Sequence, residues 1–147
     1  MINIEYPAPN FKIKVEEGKE LIFDALRKKW IVLTPEEWVR QNFIQYLLQV
    51  KNYPVSLMAL EKELKIGSVK RRFDLLVFDR DQNPWLMVEC KSMETKLTED
   101  VLQQLLHYNI AIPVPFLIIT NGNDCMGWHR IDAGVTDLHK IPDYLGV

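Results

Sequence analysis

What this chain has little of narrows its chemistry. Two cysteines are too few for a disulfide framework, so both thiols are expected reduced, as in a cytoplasmic protein. Its three histidines stand at no ligand spacing to those cysteines, which argues against a structural zinc site, and His107, His129 and His139 suggest nothing catalytic. No apolar run approaches the ~20 residues of a membrane helix, and no signal peptide opens the chain. There is no GxxxxGK(S/T) segment for nucleotide phosphates. Positive charge is not in excess: 18 lysines and arginines face 20 acidic residues, a net charge of −2. That balance argues against a partner held by bulk charge alone, although local patches can still bind. Repeats, low-complexity tracts and interdomain linkers are missing as well. What is present, 147 residues of which 48% are hydrophobic, supports one domain with a real core over residues 1–147.

Periodicity supplies the elements. Residues 1–30 read as a peripheral arm, with one strand where Phe11–Val15 alternates and a second expected near Ile31–Leu33. The core spans about 34–131. Thr34-Pro35-Glu36-Glu37 predicts a helix start, with Thr34 as N-cap, proline at the first position and Glu37 at the capping-box position. Val39, Phe43, Tyr46, Leu47 and Val50 follow at helical spacing, and Asn52-Tyr53-Pro54 stops the helix. Ser56–Gly67 is ambiguous and reads as a helical turn passing into a strand. Two apolar strands follow at Phe73–Asp79 and Trp85–Cys90, then a helix capped by Thr98 running to about Ala111. Phe116–Thr120 and Cys125–Ile131 complete the strands, and the tail after Asp132 reads as mostly irregular. The order predicts an α/β domain, a mixed β-sheet flanked by helices, in αβββαβ sequence.

The chemistry concentrates in Phe73–Lys91. Glu89 lies fifteen positions after Asp74, with a turn-forming Arg80-Asp81-Gln82-Asn83-Pro84 between them. A loop centred between Asp81 and Gln82 puts Asp74 directly opposite Glu89 at the open end of an antiparallel hairpin. Lys91, two residues on, shares the face of Glu89, while Cys90 points to the other, buried side. Two adjacent carboxylates raise each other's pKa, and a divalent cation relieves the repulsion; oxygen donors suit Mg²⁺ or Mn²⁺. A lysine beside such an ion can orient a water and steady charge on a phosphate oxygen. The plain alternative is a set of strand-end charges pairing with Arg71, Arg72 or Lys91. Lys70-Arg71-Arg72, with Lys65 upstream, is the clearest basic patch and reads either as phosphate contacts or as a solvated strand end.

A second motif follows, Gln104-Leu105-Leu106-His107-Tyr108. Together, the D…ECK hairpin and QLLHY resemble the PD-(D/E)xK nuclease superfamily and its RecB-like branch, which carries QxxxY after the ExK strand. More narrowly, the chain is similar to the N-terminal nuclease domain of type I restriction enzyme R (HsdR) subunits. Thr34–Leu47, Lys70–Asp79, Leu86–Lys91, Gln104–Asn109 and Leu117–Gly122 occur in that family's order over roughly residues 30 to 130. The resemblance implies a restriction-endonuclease-like core, with Asp74 and Glu89 as metal carboxylates and Lys91 as the catalytic lysine. It implies that Gln104 and Tyr108 sit near the scissile phosphate or brace the site. It also implies an outer metal ligand, through water, on the first helix; Glu37 is favoured, with Glu36 as the neighbouring choice. Phe73 stands where the superfamily's name has proline. R subunits continue into a translocase motor, so any ATP-driven translocation is expected to come from elsewhere.

The expected function is therefore a metal-dependent DNA endonuclease domain using Mg²⁺ (or Mn²⁺). DNA is the expected partner, with a second copy of the chain for two-strand cutting, separate restriction or helicase subunits, and no membrane. The competing expectation is a non-catalytic module binding DNA or a partner protein on the same fold.

Overall fold

The computed structural model describes residues 1–110, 112–132 and 134–146, apart from the side chains of residues 66, 108–110 and 146. Six strands form one sheet in the order β4-β5-β6-β7-β8-β9, with β4 Met58–Ile66, β5 Val69–Phe78, β6 Pro84–Cys90, β7 Phe116–Thr120, β8 Cys125–Ile131 and β9 Gly134–Asp137. Among the described strands of this sheet, only β6 and β7 run parallel. That pair needs a crossover, and helix α2 (Glu99–Ile110) supplies it, as a parallel connection demands. Helix α1 (Pro35–Gln49) precedes β4, so α1, β4, β5, β6, α2 and β7 reproduce the expected αβββαβ order.

Each face of the sheet is covered. Val39, Phe43 and Leu47 of α1 pack on Leu75, Val77, Leu86, Val88 and Ile118. Leu102 of α2 joins Phe73, Leu76, Met87, Leu117 and Ile119 on the other side. Central strands buried on both faces must be apolar throughout, which explains why β5 to β7 lack polar alternation in their middles. Helix α1 starts as its sequence dictates: the Thr34 hydroxyl accepts the Glu37 N–H at 3.0 Å.

Two elements differ from the sequence reading, and one ambiguous stretch resolves as it was read. The arm holds three strands, β1 Ile13–Glu16, β2 Lys19–Asp24 and β3 Lys29–Val32, joined antiparallel as a separate sheet. The ambiguous stretch is, as read, a helical turn (Val55–Leu57) passing into a strand, β4, which pairs with β5 from Met58↔Val77 to Ile66↔Val69. The tail is also not wholly irregular: β9 extends the large sheet along β8, although all four of its residues are exposed. Pairing, not burial, makes it a strand.

Candidate active site

The hairpin register is the one the loop length dictates. Leu75 faces Val88, Leu76 faces Met87 and Val77 faces Leu86, so the next rung toward the open end is Asp74 with Glu89. A bulge follows at Val77/Phe78, beside the turn, where Gln82 takes φ 65°. It leaves the registry at the site end intact.

At that end the charges converge. The Asp74 Oδ2 accepts the Cys90 backbone N–H at 2.7 Å, tying β5 to β6 where their ladder stops. Burial raises Asp74 above the ordinary carboxylate range; the Cys90 N–H and the Arg40 charge pull it back only in part. Glu89 lies within hydrogen-bonding reach of Asp74. Burial first, and then the Asp74 charge, push it up to about 8. Lys91 opposes both shifts, so its positive charge lies near enough to act on both carboxylates. Its backbone N–H continues the parallel ladder to Thr120 O at 2.8 Å, which sets where the lysine leaves the sheet. Cys90 packs on the α1 side of the core, and burial drives its thiol well above the ordinary range, so it is an inert packing group.

A pair that retains a proton has a measurable signature. Because the folded pKa of Glu89 is raised, the stabilisation it confers is present below about pH 4.5 and is lost as pH rises through about 8. The melting temperature of metal-free protein should fall across that window, and Glu89→Gln should flatten the decline. An equally steep decline in the variant would place the titrating group elsewhere.

On helix α1 the two neighbouring glutamates part company. Glu37, favoured by the sequence, is buried and committed. Its carboxylate accepts Arg40 Nε at 2.9 Å, Gln41 Nε2 at 3.0 Å and Arg27 Nη2 at 3.3 Å, with a further bond from Arg40 Nη2. Burial alone would raise its pKa, but those donors hold it below the ordinary range. Glu36 is exposed on the helix. Burial by its surroundings and then the Asp74 charge raise its pKa, while Lys91 lowers it. Glu36, not Glu37, is thus the helix carboxylate that shares a field with Asp74 and Lys91.

The sequence reading missed Arg40. It bonds Glu37 and Glu61 (Nη1 to Oε1, 2.5 Å) and reaches the Asp74 carbonyl at 3.5 Å. Glu61 in turn pairs with Arg72 at 3.0 Å, and on the other flank Arg27 joins Glu37 to the fully buried Asp24 at 2.7 Å. One chain of alternating charge therefore runs from the small sheet through α1 to β5. Glu61 holds φ 54° and drops out of the ladder between Leu60↔Leu75 and Lys62↔Phe73, at the rung facing Asp74. A non-glycine residue in that region costs about 1–3 kcal/mol, and here the distortion sits beside the carboxylate pair. The only hint in the sequence was the i,i+3 spacing of Glu37 and Arg40. Asn121 was also missed: its Nδ2 donates to Thr95 O at 2.8 Å and pins the loop that follows Lys91.

The remaining candidates are placed as follows. Gln104 is exposed on α2, nearly opposite the buried Leu102 around the helix. The side chain of Tyr108 lies outside the described residues. Lys70 and Arg72 are exposed, whereas Arg71 is half-buried. Among the described residues, no group of three or more His, Cys, Asp and Glu forms a ready-made metal cage. Two carboxylates side by side at a strand end are oxygen donors of the kind Mg²⁺ takes, so the residue types present fit that ion.

Residues 35–142 match the family described as Type I restriction enzyme R protein N terminus (HSDR_N), a stretch that opens on α1 and includes Asp74, Glu89, Lys91 and Gln104. A comparison with curated proteins found no match. The chain belongs to the family of type I restriction enzyme R protein N termini.

Proposed function

We propose that this domain is a metal-dependent DNA endonuclease, hydrolysing phosphodiesters at Asp74, Glu89 and Lys91. The observation that supports it best is the rung that sets Asp74 beside Glu89, where burial raises both carboxyls and the Asp74 charge raises Glu89 further. Structural strand-end charges avoid such an arrangement, since buried like charges are costly unless a cation joins them. Asp74 and Glu89 would hold Mg²⁺ or Mn²⁺, and Glu36 would bind through an intervening water. When bound, the ion supplies Lewis acidity at the phosphate and lowers the pKa of its water. Lys91 orients the attacking water and steadies the charge growing on the phosphate oxygens. Water's oxygen bonds to phosphorus, the P–O bond to the leaving nucleoside breaks, and that oxygen takes up a proton. Gln104 and Tyr108 are proposed to sit near the scissile phosphate or brace the site. Membership of the R-protein family supports DNA as the substrate and other restriction or helicase subunits as partners. A second copy of the chain would be needed for cutting both strands at once.

The test is cleavage of duplex, single-stranded and nicked DNA by the purified chain with Mg²⁺ or Mn²⁺, and with EDTA. Cleavage that EDTA abolishes is expected. No cleavage of any form with either ion, alongside DNA or protein binding, would assign the fold to a non-catalytic binding module instead.

A further inference from the structure

The β4–β5 ribbon outruns the sheet it belongs to. β5 pairs with β6 only from Leu75 onward, yet its ladder with β4 continues to Ile66↔Val69. Residues 62–66 and 69–73 therefore form a two-stranded extension whose root is Asp74. Its two faces differ sharply. Leu64 and Val69 are half-buried against the α2-side core, Phe73 is fully buried there, and Arg71 shares their side by the period of two. The opposite face carries Glu63, Lys65, Lys70 and Arg72, all exposed. In a chain of net charge −2, residues 61–72 hold five cations against two carboxylates. Two of those cations have acidic neighbours, Lys70 with Glu63 at 3.3 Å and Arg72 with Glu61 at 3.0 Å. With Lys70 62% and Arg72 67% exposed, such pairs are weak and exchange readily for a phosphate.

We propose that the outer face of this ribbon is a phosphate track, which seats the backbone of a DNA strand running into the carboxylate site. Lys65, Lys70 and Arg72 take phosphates; Arg71 does not. The spacing carries the inference. Alternate residues of a strand lie about 6.8 Å apart, a repeat of the same order as the separation of successive phosphates along one nucleic-acid strand. Lys70 and Arg72 are one such step apart, and Arg72 reaches the rung of Asp74 through Glu61, its partner at 3.0 Å. A strand leaving the carboxylate site thus meets Arg72 and then Lys70. The three basic residues that look like a single run in the sequence divide between an outer track and an inner packing face. The direction of the track rests on the nucleolytic reading of the site; its binding does not.

Binding to a fluorescein-labelled duplex, measured in EDTA over a range of salt concentrations, tests the track without cleavage. Lys70→Ala with Arg72→Ala should lower the magnitude of the log–log salt slope by about 2 and weaken binding at low salt by at least ~10-fold. Arg71→Gln, which keeps the aliphatic stem on the inner face, should leave the slope unchanged. Melting curves confirm that the variants compared are folded. An unchanged slope in the double variant, an equal loss in Arg71→Gln, or a wild-type protein that binds no DNA at low salt would each overturn the track. Parallel cleavage assays in Mg²⁺ separate the two claims. Track-dependent binding without cleavage retains the track and removes the nuclease; cleavage with a slope indifferent to Lys70 and Arg72 does the reverse.

Discussion

Asp74→Asn, Glu89→Gln and Lys91→Ala should each cut metal-dependent DNA cleavage by at least ~100-fold, the scale at which a Lewis acid or a directly placed charge acts on a phosphoryl transition state. The amides are near-isosteric, so packing survives. In the Asp74→Asn variant the side-chain amide retains an oxygen that can accept the Cys90 N–H now bonded to Asp74. Unfolding would also abolish cutting, so stability is the control, and it should move the other way. Burial raises both carboxyls and the Asp74 charge raises Glu89 further, so removing either charge leaves metal-free protein as stable as wild type or slightly more so. Loss of cleavage with a fall in melting temperature would make the carboxylates structural. The two helix glutamates should separate cleanly in the same assay. Glu36→Gln should lower cleavage by roughly 10-fold with little change in stability, as expected of a group acting through water. Glu37→Gln should instead lower the melting temperature, because it strips charge from a buried carboxylate that Arg27 and Arg40 both serve. Equal effects from both substitutions would mean that neither reaches the site.

The second large effect is expected at Arg40. Its guanidinium is buried among Glu37, Glu61 and the Asp74 carbonyl, so Arg40→Ala leaves Glu37 underserved and Glu61 released. Breaking a buried pair from one side costs about 3–5 kcal/mol, since the abandoned charge keeps its desolvation penalty; here that corresponds to a melting temperature lower by about 10–20 °C. Arg40→Lys should recover little, because a point ammonium cannot serve three acceptors in a fork. Glu37→Gln combined with Arg40→Met should recover part of the loss, since the orphaned charge goes with its partner. A single Arg40→Ala cost below about 1 kcal/mol would show that the ion chain is ornamental to the fold and that apolar packing alone holds α1.

How much of this could be read beforehand differed by the range of the interactions. Local determinants were legible. The Thr34 cap, the extent of β7 at Phe116–Thr120 and of β8 at Cys125–Ile131, and the registry of β5 with β6 all follow from neighbouring residues or from one short loop. The strands β2 and β9 were not legible, and β4 was legible only in part. β2 lies between residues that alternate more clearly, and β4 carries Leu-Glu-Lys-Glu-Leu-Lys, whose side chains favour a helix while its partner strand makes it extended. β9 buries nothing and exists by pairing with β8 alone.

The same division runs through the site. Sequence by itself set Asp74 opposite Glu89, because a hairpin with a five-residue loop has few registers and strand side chains alternate. It could not choose between Glu36 and Glu37, which are adjacent in the chain and equally acidic. That choice depends on Arg27 and Arg40, which must be brought to one side of α1 by the small sheet and by β4. Nor could it show that Lys70 and Arg72 face outward while Arg71 faces in, since that requires knowing which face of the ribbon the α2-side core covers. Residue type and short spacing decide what chemistry a chain carries; which of two equal neighbours performs it is decided by charges and apolar surfaces that only the folded chain brings within reach.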